Sequence, residues 1–266
     1  MTTLSAPNRA RAYVRGFQAA LNNWLDKGFE PEVSALPVLI PRGGVCFHVG
    51  ASDGRHSYAM VRRAGASKVY AFEPSGYSYA MLESAIWFQG LNSTVEKHHK
   101  AVGAGDGVVT LTTPRKINGN MGRAYAFVGD DGSSRADVVS TGDKTQEIVG
   151  VTSIDNFVAA NQIQHVDFIR ADCEGAEMLV LEGAARTIER DSPSMLIEIH
   201  PIQLETMFHS SGQAVLDRLH GLGYRTFVQD DGRWQECNVP FKDKKWKDYA
   251  CLHAERHRDR VVKLLS

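Results

Sequence analysis

Val45-Cys46-Phe47-His48-Val49-Gly50-Ala51-Ser52-Asp53-Gly54 decides the fold. Five mostly apolar residues running into a glycine read as a strand covered on both faces, the habit of parallel sheets. The turn opens into a helix predicted over His56 to Ala64. Gly50 permits a tight turn and a close approach of backbone to a ligand. Gly54 lets the helix start close against the sheet, and the amides at that helix start are expected to be free for carboxylate or hydroxyl oxygens.

Outward from this unit the same alternation continues. Lys68–Phe72 is a second strand, ending in Glu73-Pro74, and Tyr77 to Gly90 a helix with Tyr79, Leu82, Ile86 and Trp87 turned inward. A third strand is expected over Val95–Val102. Strand, helix, strand, helix, strand is the doubly wound pattern. It resumes with a strand at Asp167–Ala171, a helix through Met178, Leu181 and Ala184, and a strand at Met195–Ile199. A helix over Gln213–Leu222 and strands at Arg225–Val228 and Tyr249–Leu252 complete the set, followed by a charged, helix-compatible C-terminus. Upstream, Tyr13, Phe17, Leu21 and Trp24 recur at helical spacing. The predicted class is α/β: a Rossmann-like, mostly parallel doubly wound sheet. Residues 1–40 form an N-terminal helical extension and 41–266 the main domain. Residues 103–150, rich in Gly, Asp, Ser and Thr, are expected to be an irregular hairpin or lid insertion bordering the acceptor pocket.

The 266 residues are 43% hydrophobic and 23% charged, with a formal net charge of −1. These are globular values, and they exclude a global basic field that would draw the chain to nucleic acid. No apolar run approaches the ~18–20 residues of a membrane span, and the stretch from Met1 lacks the apolar core of a secretory signal. Cys46, Cys173, Cys237 and Cys251 form no CxxC pair, so free thiols in the cytoplasm are expected. Trp24, Trp87, Trp234 and Trp246 show no clustering and are assigned to packing. A homo-oligomer is left open.

In open parallel sheets the ligand lies beyond the carboxyl ends of the strands, where strand order reverses. The Gly50–Gly54 turn is not GxGxxG, and Asp53 puts a negative charge inside it. That charge repels a pyrophosphate and suits a ligand with a cationic end, such as S-adenosylmethionine. Glu73, at the end of the second strand, is placed to accept both hydroxyls of a ribose.

The residues that carry a resemblance are His48-Val-Gly50-Ala-Ser52-Asp53-Gly54, Ala71-Phe-Glu73-Pro74, Val151-Thr-Ser-Ile-Asp155-Asn-Phe157, and Val166-Asp-Phe-Ile-Arg-Ala-Asp172-Cys-Glu174-Gly-Ala-Glu177 with Leu181-Glu-Gly183-Ala184. Met195-Leu-Ile-Glu198-Ile-His200 follows. Over residues 45–200 or so, the chain resembles FkbM-type methyltransferases, a branch of the class I enzymes that use S-adenosyl-L-methionine. The resemblance implies a class I methyltransferase fold and O-methylation of a hydroxyl on a small molecule, sugar or natural product. It implies a cofactor site of His48, Gly50, Ala51, Ser52, Asp53, Gly54, Glu73, Pro74, Ala101 and Asp172. His48 departs from the family's usual Asp and Ser52 from its frequent Asn.

Methyl transfer needs alignment and an outlet for the acceptor's proton. Asp172, at the end of the Asp167–Ala171 strand, is a candidate for the cofactor amine, for acceptor alignment or for general base; a helix N-cap is its structural alternative. His200, at the end of the Met195–Ile199 strand, is a candidate base. Glu198 would orient His200 or touch substrate. Glu174 and Glu177 suit the helix dipole. Asp172, Glu198 and His200 have the chemistry to hold a divalent metal, a reading admitted but not favoured. The rivals are an NAD(P)-dependent oxidoreductase, which would want GxGxxG, and a non-catalytic S-adenosylmethionine-binding module, suggested by His48.

Overall fold

A computed structural model describes residues 6–116, 127–128, 140–240 and 246–266. From the N-terminus, α1 (Ala6–Trp24), a 3-10 turn (Pro31–Ala35) and α2 (Leu36–Leu39) lead into β1 (Val45–Val49), α3 (Arg55–Arg62), β2 (Lys68–Phe72), α4 (Gly76–Phe88), β3 (Val95–His98) and β4 (Ala101–Val102). Next come β5 (Gly107–Lys116), β6 (Phe127–Val128), β7 (Ser140–Thr152), α5 (Ile154–Ala160), β8 (Phe168–Ala171), α6 (Glu177–Gly183), α7 (Ala185–Asp191) and β9 (Ser194–Ile199). The chain ends with α8 (Pro201–Met207), α9 (Gly212–Gly221), β10 (Tyr224–Asp230), β11 (Arg233–Glu236), β12 (Lys247–His253) and α10 (Arg258–Leu265).

The main sheet runs β11-β10-β12-β9-β8-β1-β2-β3. Five neighbouring strands, β9-β8-β1-β2-β3, are parallel. β12 lies antiparallel between β9 and β10, and β11 folds back on β10 at the edge. Strand order reverses between β1 and β8, so the ligand crevice falls at their carboxyl ends. The alternation of β1 accounts for its composition: Phe47 and Val49 join one apolar cluster, and Cys46 joins the other on the opposite face. Both faces are covered, as the continuous apolar run requires.

The third strand is shorter than expected. Tyr70 and Phe72 pair with Glu96 and His98, after which the chain leaves the main sheet; Ala101 and Val102 pair with β7 instead. Around them grows a second sheet, β4-β7-β5-β6. In place of an irregular 103–150 insertion, its described parts are a long antiparallel β5–β7 pairing from Gly107↔Val151 to Lys116↔Ser140. The composition hides this pairing because apolar and polar positions do not sort cleanly: Thr112 is buried, while Val108 and Ile148 are largely exposed. Residues 117–126 and 129–139 of the expected lid lie outside the described residues.

The N-terminal extension is a helix, and it covers α4: the Ser84 hydroxyl donates to the Tyr13 carbonyl at 2.8 Å. α4 is therefore covered on more than its sheet face, and Leu82 and Ile86 are fully buried. Trp87, expected inward, is 65% exposed, and Trp24 and Trp246 are also largely exposed, so packing accounts only for Trp234. Four cysteines are free, two buried and two half-buried. No helix among the described residues is long and apolar enough to cross a membrane.

Candidate functional site

At the switch point the two strand ends meet almost without a gap. Gly50 has φ +77°, and a Cβ there would stand 1.8 Å from the Asp172 carbonyl oxygen. Only glycine fits, for conformation and for space. The Gly50 and Ala51 amides both donate to the Phe72 carbonyl, and Gly54 N–H donates to Ala51 O. Ser52, itself left-handed at φ +48°, donates its amide to Glu73 Oε2 at 2.8 Å. The Arg55 amide donates to the Asp53 side chain. The amides of this turn, expected to be free for a ligand, are thus largely used inside it.

Glu73 is the keystone of the turn. Its second oxygen accepts the Ser75 amide at 2.9 Å, and the residue is buried. Burial pushes its carboxyl up to about 7, against the pull of these two backbone bonds. Each oxygen keeps a further lone pair for a ribose hydroxyl.

Asp53 does not present a bare charge. Arg55 grips it with Nη2 2.9 Å from Oδ2 and Nε 3.2 Å from Oδ1, and a further bond from Arg55 reaches Gly28 O. The negative charge inside the turn is therefore already partnered within the chain. His48 lies beneath the turn, buried, with Nδ1 2.7 Å from the Ser57 hydroxyl of α3. Burial, then the nearby His56 and Arg170, hold its pKa well below the ordinary value, so it is neutral.

A cleft partly open to solvent lies beyond these strand ends. Val49, Gly50, Phe72, Pro74, Ala101 and Val102 form one wall. Cys173, Glu174, Ala176 and Phe208 form another, and Leu111 and Lys100 close it from the second sheet's side. Of the expected cofactor residues, Gly50, Pro74 and Ala101 line this cleft; Ala51, Ser52, Asp53 and Gly54 belong to the adjoining turn, which Glu73 braces, and His48 and Asp172 are not in the lining. The fit to S-adenosylmethionine is good: an apolar slot for a planar ring, beside a buried carboxylate with acceptor capacity left.

Beside the cleft is a charged cluster. His200 precedes Pro201 at the start of α8, and its ring stands among three carboxylates: Nε2 is 3.5 Å from Asp172 Oδ1 and 3.6 Å from Glu198 Oε1, and Nδ1 is 3.6 Å from Glu174 Oε2. Burial would lower its pKa, but Asp172, Glu174 and Glu177 outweigh it and raise it. Asp172 is a third exposed at the rim. Burial opposes its ionisation, yet His200 and the Arg170 charge hold its carboxyl well below the usual range. It does not cap the next helix: α6 begins at Glu177, with Ala176 as N-cap. Glu198 is pushed up by burial and by the charges of Asp172 and Asp248, against the pull of Arg170.

Sequence reasoning missed the centre of this cluster. Arg170 is fully buried; it pairs with Asp248 on β12, lies 3.1 Å from Glu198 and 3.6 Å from Asp172. The signal was present as a lone cation inside the apolar run Asp167–Ala171. Asp172, Glu198 and His200 bring ligand atoms within 4.8 Å of one another. The guanidinium on two of these carboxylates already supplies the countercharge that a metal ion would bring.

The family model for the FkbM methyltransferase domain matches residues 48–226. The chain belongs to the FkbM methyltransferase family. That family is one of methyltransferases. Among solved structures, this FkbM chain is similar to the methyltransferase FkbM from Methylobacillus flagellatus KT, with TM-score 0.50 and 17% identity over 92% of this chain and 58% of that one. It therefore spans under two thirds of that structure's length. A SAM-dependent O-methyltransferase from Thermotoga maritima matches with TM-score 0.43 and 12% identity, over 85% of this chain and 65% of that one. TrmK from M. capricolum, in complex with S-adenosyl-homocysteine, matches with TM-score 0.46 and 9% identity, over 85% and 69%. No curated protein matches the chain at a significant level. In this family's Val151–Phe157 motif, Asp155 is structural: its carboxylate accepts from the Arg186 and Thr187 amides and the Thr187 hydroxyl, tying α5 to α7.

Proposed function

We propose that the chain O-methylates a hydroxyl of a small molecule, a sugar or a natural product. The observation that carries this reading is the convergence of Asp172 and His200 beside the cleft at the switch point. S-adenosylmethionine brings a methyl carbon already activated by the sulfonium. The protein's part is to hold the acceptor oxygen in line and to receive its proton. Asp172, at the rim, holds the His200 ring toward the acceptor hydroxyl. His200, in the fraction that is deprotonated, takes the proton as the new C–O bond forms and the C–S bond breaks. Glu73 holds the ribose, and Phe72, Pro74, Ala101 and Val102 hold the adenine.

The net charge of −1 favours a small acceptor over nucleic acid, and four free cysteines favour the cytoplasm. The test is a screen of hydroxylated metabolites with S-adenosylmethionine, reading S-adenosylhomocysteine and methylated product. Methyl on oxygen supports the proposal. Methyl on nitrogen or carbon overturns it, and tight cofactor binding without turnover on any acceptor favours a binding module.

A further inference from the structure

The segment after α1 folds back over the first turn of α3 and brings Glu30 and Glu32 to His56. Nε2 of His56 stands 3.6 Å from Glu30 Oε2 and 3.6 Å from Glu32 Oε1. One atom from each residue lies within 4.8 Å of the others. Glu32 and His56 are each 6% exposed, yet Glu32 Oε1 and His56 Nε2 are buried without a hydrogen-bond partner. Two buried polar atoms left facing each other at that distance are costly, and 3.6 Å is too long for an N–H···O bond.

The spacing has another meaning. Two donors each 2.0–2.1 Å from one tetrahedral ion sit roughly 3.4 Å apart. We infer that Glu30, Glu32 and His56 bind a first-row divalent metal ion of the zinc type, with three protein ligands and a fourth position open on the Glu30 side. One imidazole and two carboxylates suit such an ion better than Ca²⁺ or Mg²⁺, which want six or more oxygens or several retained waters. The Glu30 side chain is 37% exposed, which gives the ion an entry path. Arg55 lies 3.6 Å from the outer oxygen, Oε1, of Glu30. It is itself fixed on Asp53 and on Gly28 O, and so orients that ligand from outside.

This site is separate from the cluster at Asp172. There a guanidinium already lies on the carboxylates. Here Arg55 faces only the far oxygen of Glu30, and the two buried donor atoms are left to an ion. Bound metal would tie the 30–32 segment to the first turn of α3, directly behind the Gly50–Gly54 turn. The His56 ring lies 5.8 Å from that of His48, centroid to centroid.

The full chain, stripped with chelator, is dialysed against Zn²⁺ and, separately, Co²⁺. One equivalent of Zn²⁺ and the visible bands of four-coordinate Co²⁺ are expected. Glu30→Gln, at the exposed ligand, keeps the fold measurable by circular dichroism. It should weaken binding by at least the ~10–100-fold typical of losing an outer partner, and Glu32→Gln and His56→Ala should do the same. His200→Ala should leave stoichiometry and affinity unchanged. Absence of stoichiometric metal in the native chain overturns the site. So does binding that survives Glu30→Gln and His56→Ala but is lost in His200→Ala.

Discussion

Nε2 of His200 lies 3.5 Å from Oδ1 of Asp172, and the two residues come from neighbouring parallel strand ends. This pair makes the proton step testable. His200 is buried among Asp172, Glu174 and Glu198, and its pKa is raised above 6.5. A raised histidine pKa favours the imidazolium over the free imidazole, and the base form fills as pH climbs past that value. The expected kcat/KM profile therefore rises through an apparent pKa above 6.5. His200→Ala should remove this limb and lower kcat by ~10²–10⁴-fold while leaving S-adenosylhomocysteine affinity nearly intact. A flat profile in the native chain would leave alignment as the whole mechanism.

Glu73 gives a prediction on binding. Its carboxylate accepts the Ser52 and Ser75 amides at 2.8 and 2.9 Å. Glu73→Gln keeps the shape but turns one acceptor oxygen into a donor facing an amide. S-adenosylhomocysteine affinity should fall by about 2 kcal/mol, a factor of roughly 30, through the weakened ribose bonds and the disturbed turn. Calorimetry checks this. Because the carboxyl titrates near 7, native affinity should strengthen as pH rises from 6 to 8, when the better acceptor form fills. The Gln variant should lose that slope.

Much of this was legible beforehand, for a definite reason. β1, β2, β8 and β9 are short apolar runs ending at Gly50, Glu73, Asp172 and His200, and a strand buried on both faces writes itself as such a run. Residues at the ends of adjacent parallel strands must then converge. Three features were not legible. The departure of β4 from the main sheet depends on pairing with Val151 and Thr152, some fifty residues away, which no local pattern reports. The charge of Asp53 reads as bare in the sequence, because only the folded turn brings the Arg55 guanidinium, two residues on, back onto its carboxylate. The Glu30–Glu32–His56 cluster joins a loop to a helix across about 25 residues of unrelated sequence, so only geometry reveals it.

Among the described residues, Arg170 is the cation that pairs with Asp172, Glu198 and Asp248 in this cluster besides His200. Replacing it with Met leaves buried carboxylates facing one another. Such a break typically costs about 3–5 kcal/mol, and urea denaturation of Arg170→Met should show a loss of that order. Adding Asp248→Asn removes one of the stranded charges and should recover part of the loss. No recovery in the double variant would show that the two side chains are not energetically coupled.

Glu177 gives the last prediction, on stability. It is 1% exposed in the first turn of α6; Oε1 accepts the Gly175 amide at 2.9 Å, and Oε2 is buried without a hydrogen-bond partner. Burial pushes its carboxyl up to about 7, only partly offset by His200. The sign follows directly. The folded chain holds this proton more tightly than the unfolded chain, whose carboxyl titrates near 4.5. Below pH 4.5 the group is neutral in both states and costs nothing. Between 4.5 and 7 the folded state loses ground, and above 7 the penalty is complete, of order 3 kcal/mol. Glu177→Gln is neutral at every pH and keeps the oxygen that accepts from Gly175. Its thermal midpoint should exceed the native one at pH 8, and the two should meet near pH 4.5. If the midpoints instead differ equally at both pH values, the carboxyl is not titrating in the folded chain as its burial requires. If Glu177→Gln is less stable at pH 8, the attraction of His200 outweighs desolvation, and Glu177 belongs with Asp172 among the charges that hold the imidazolium.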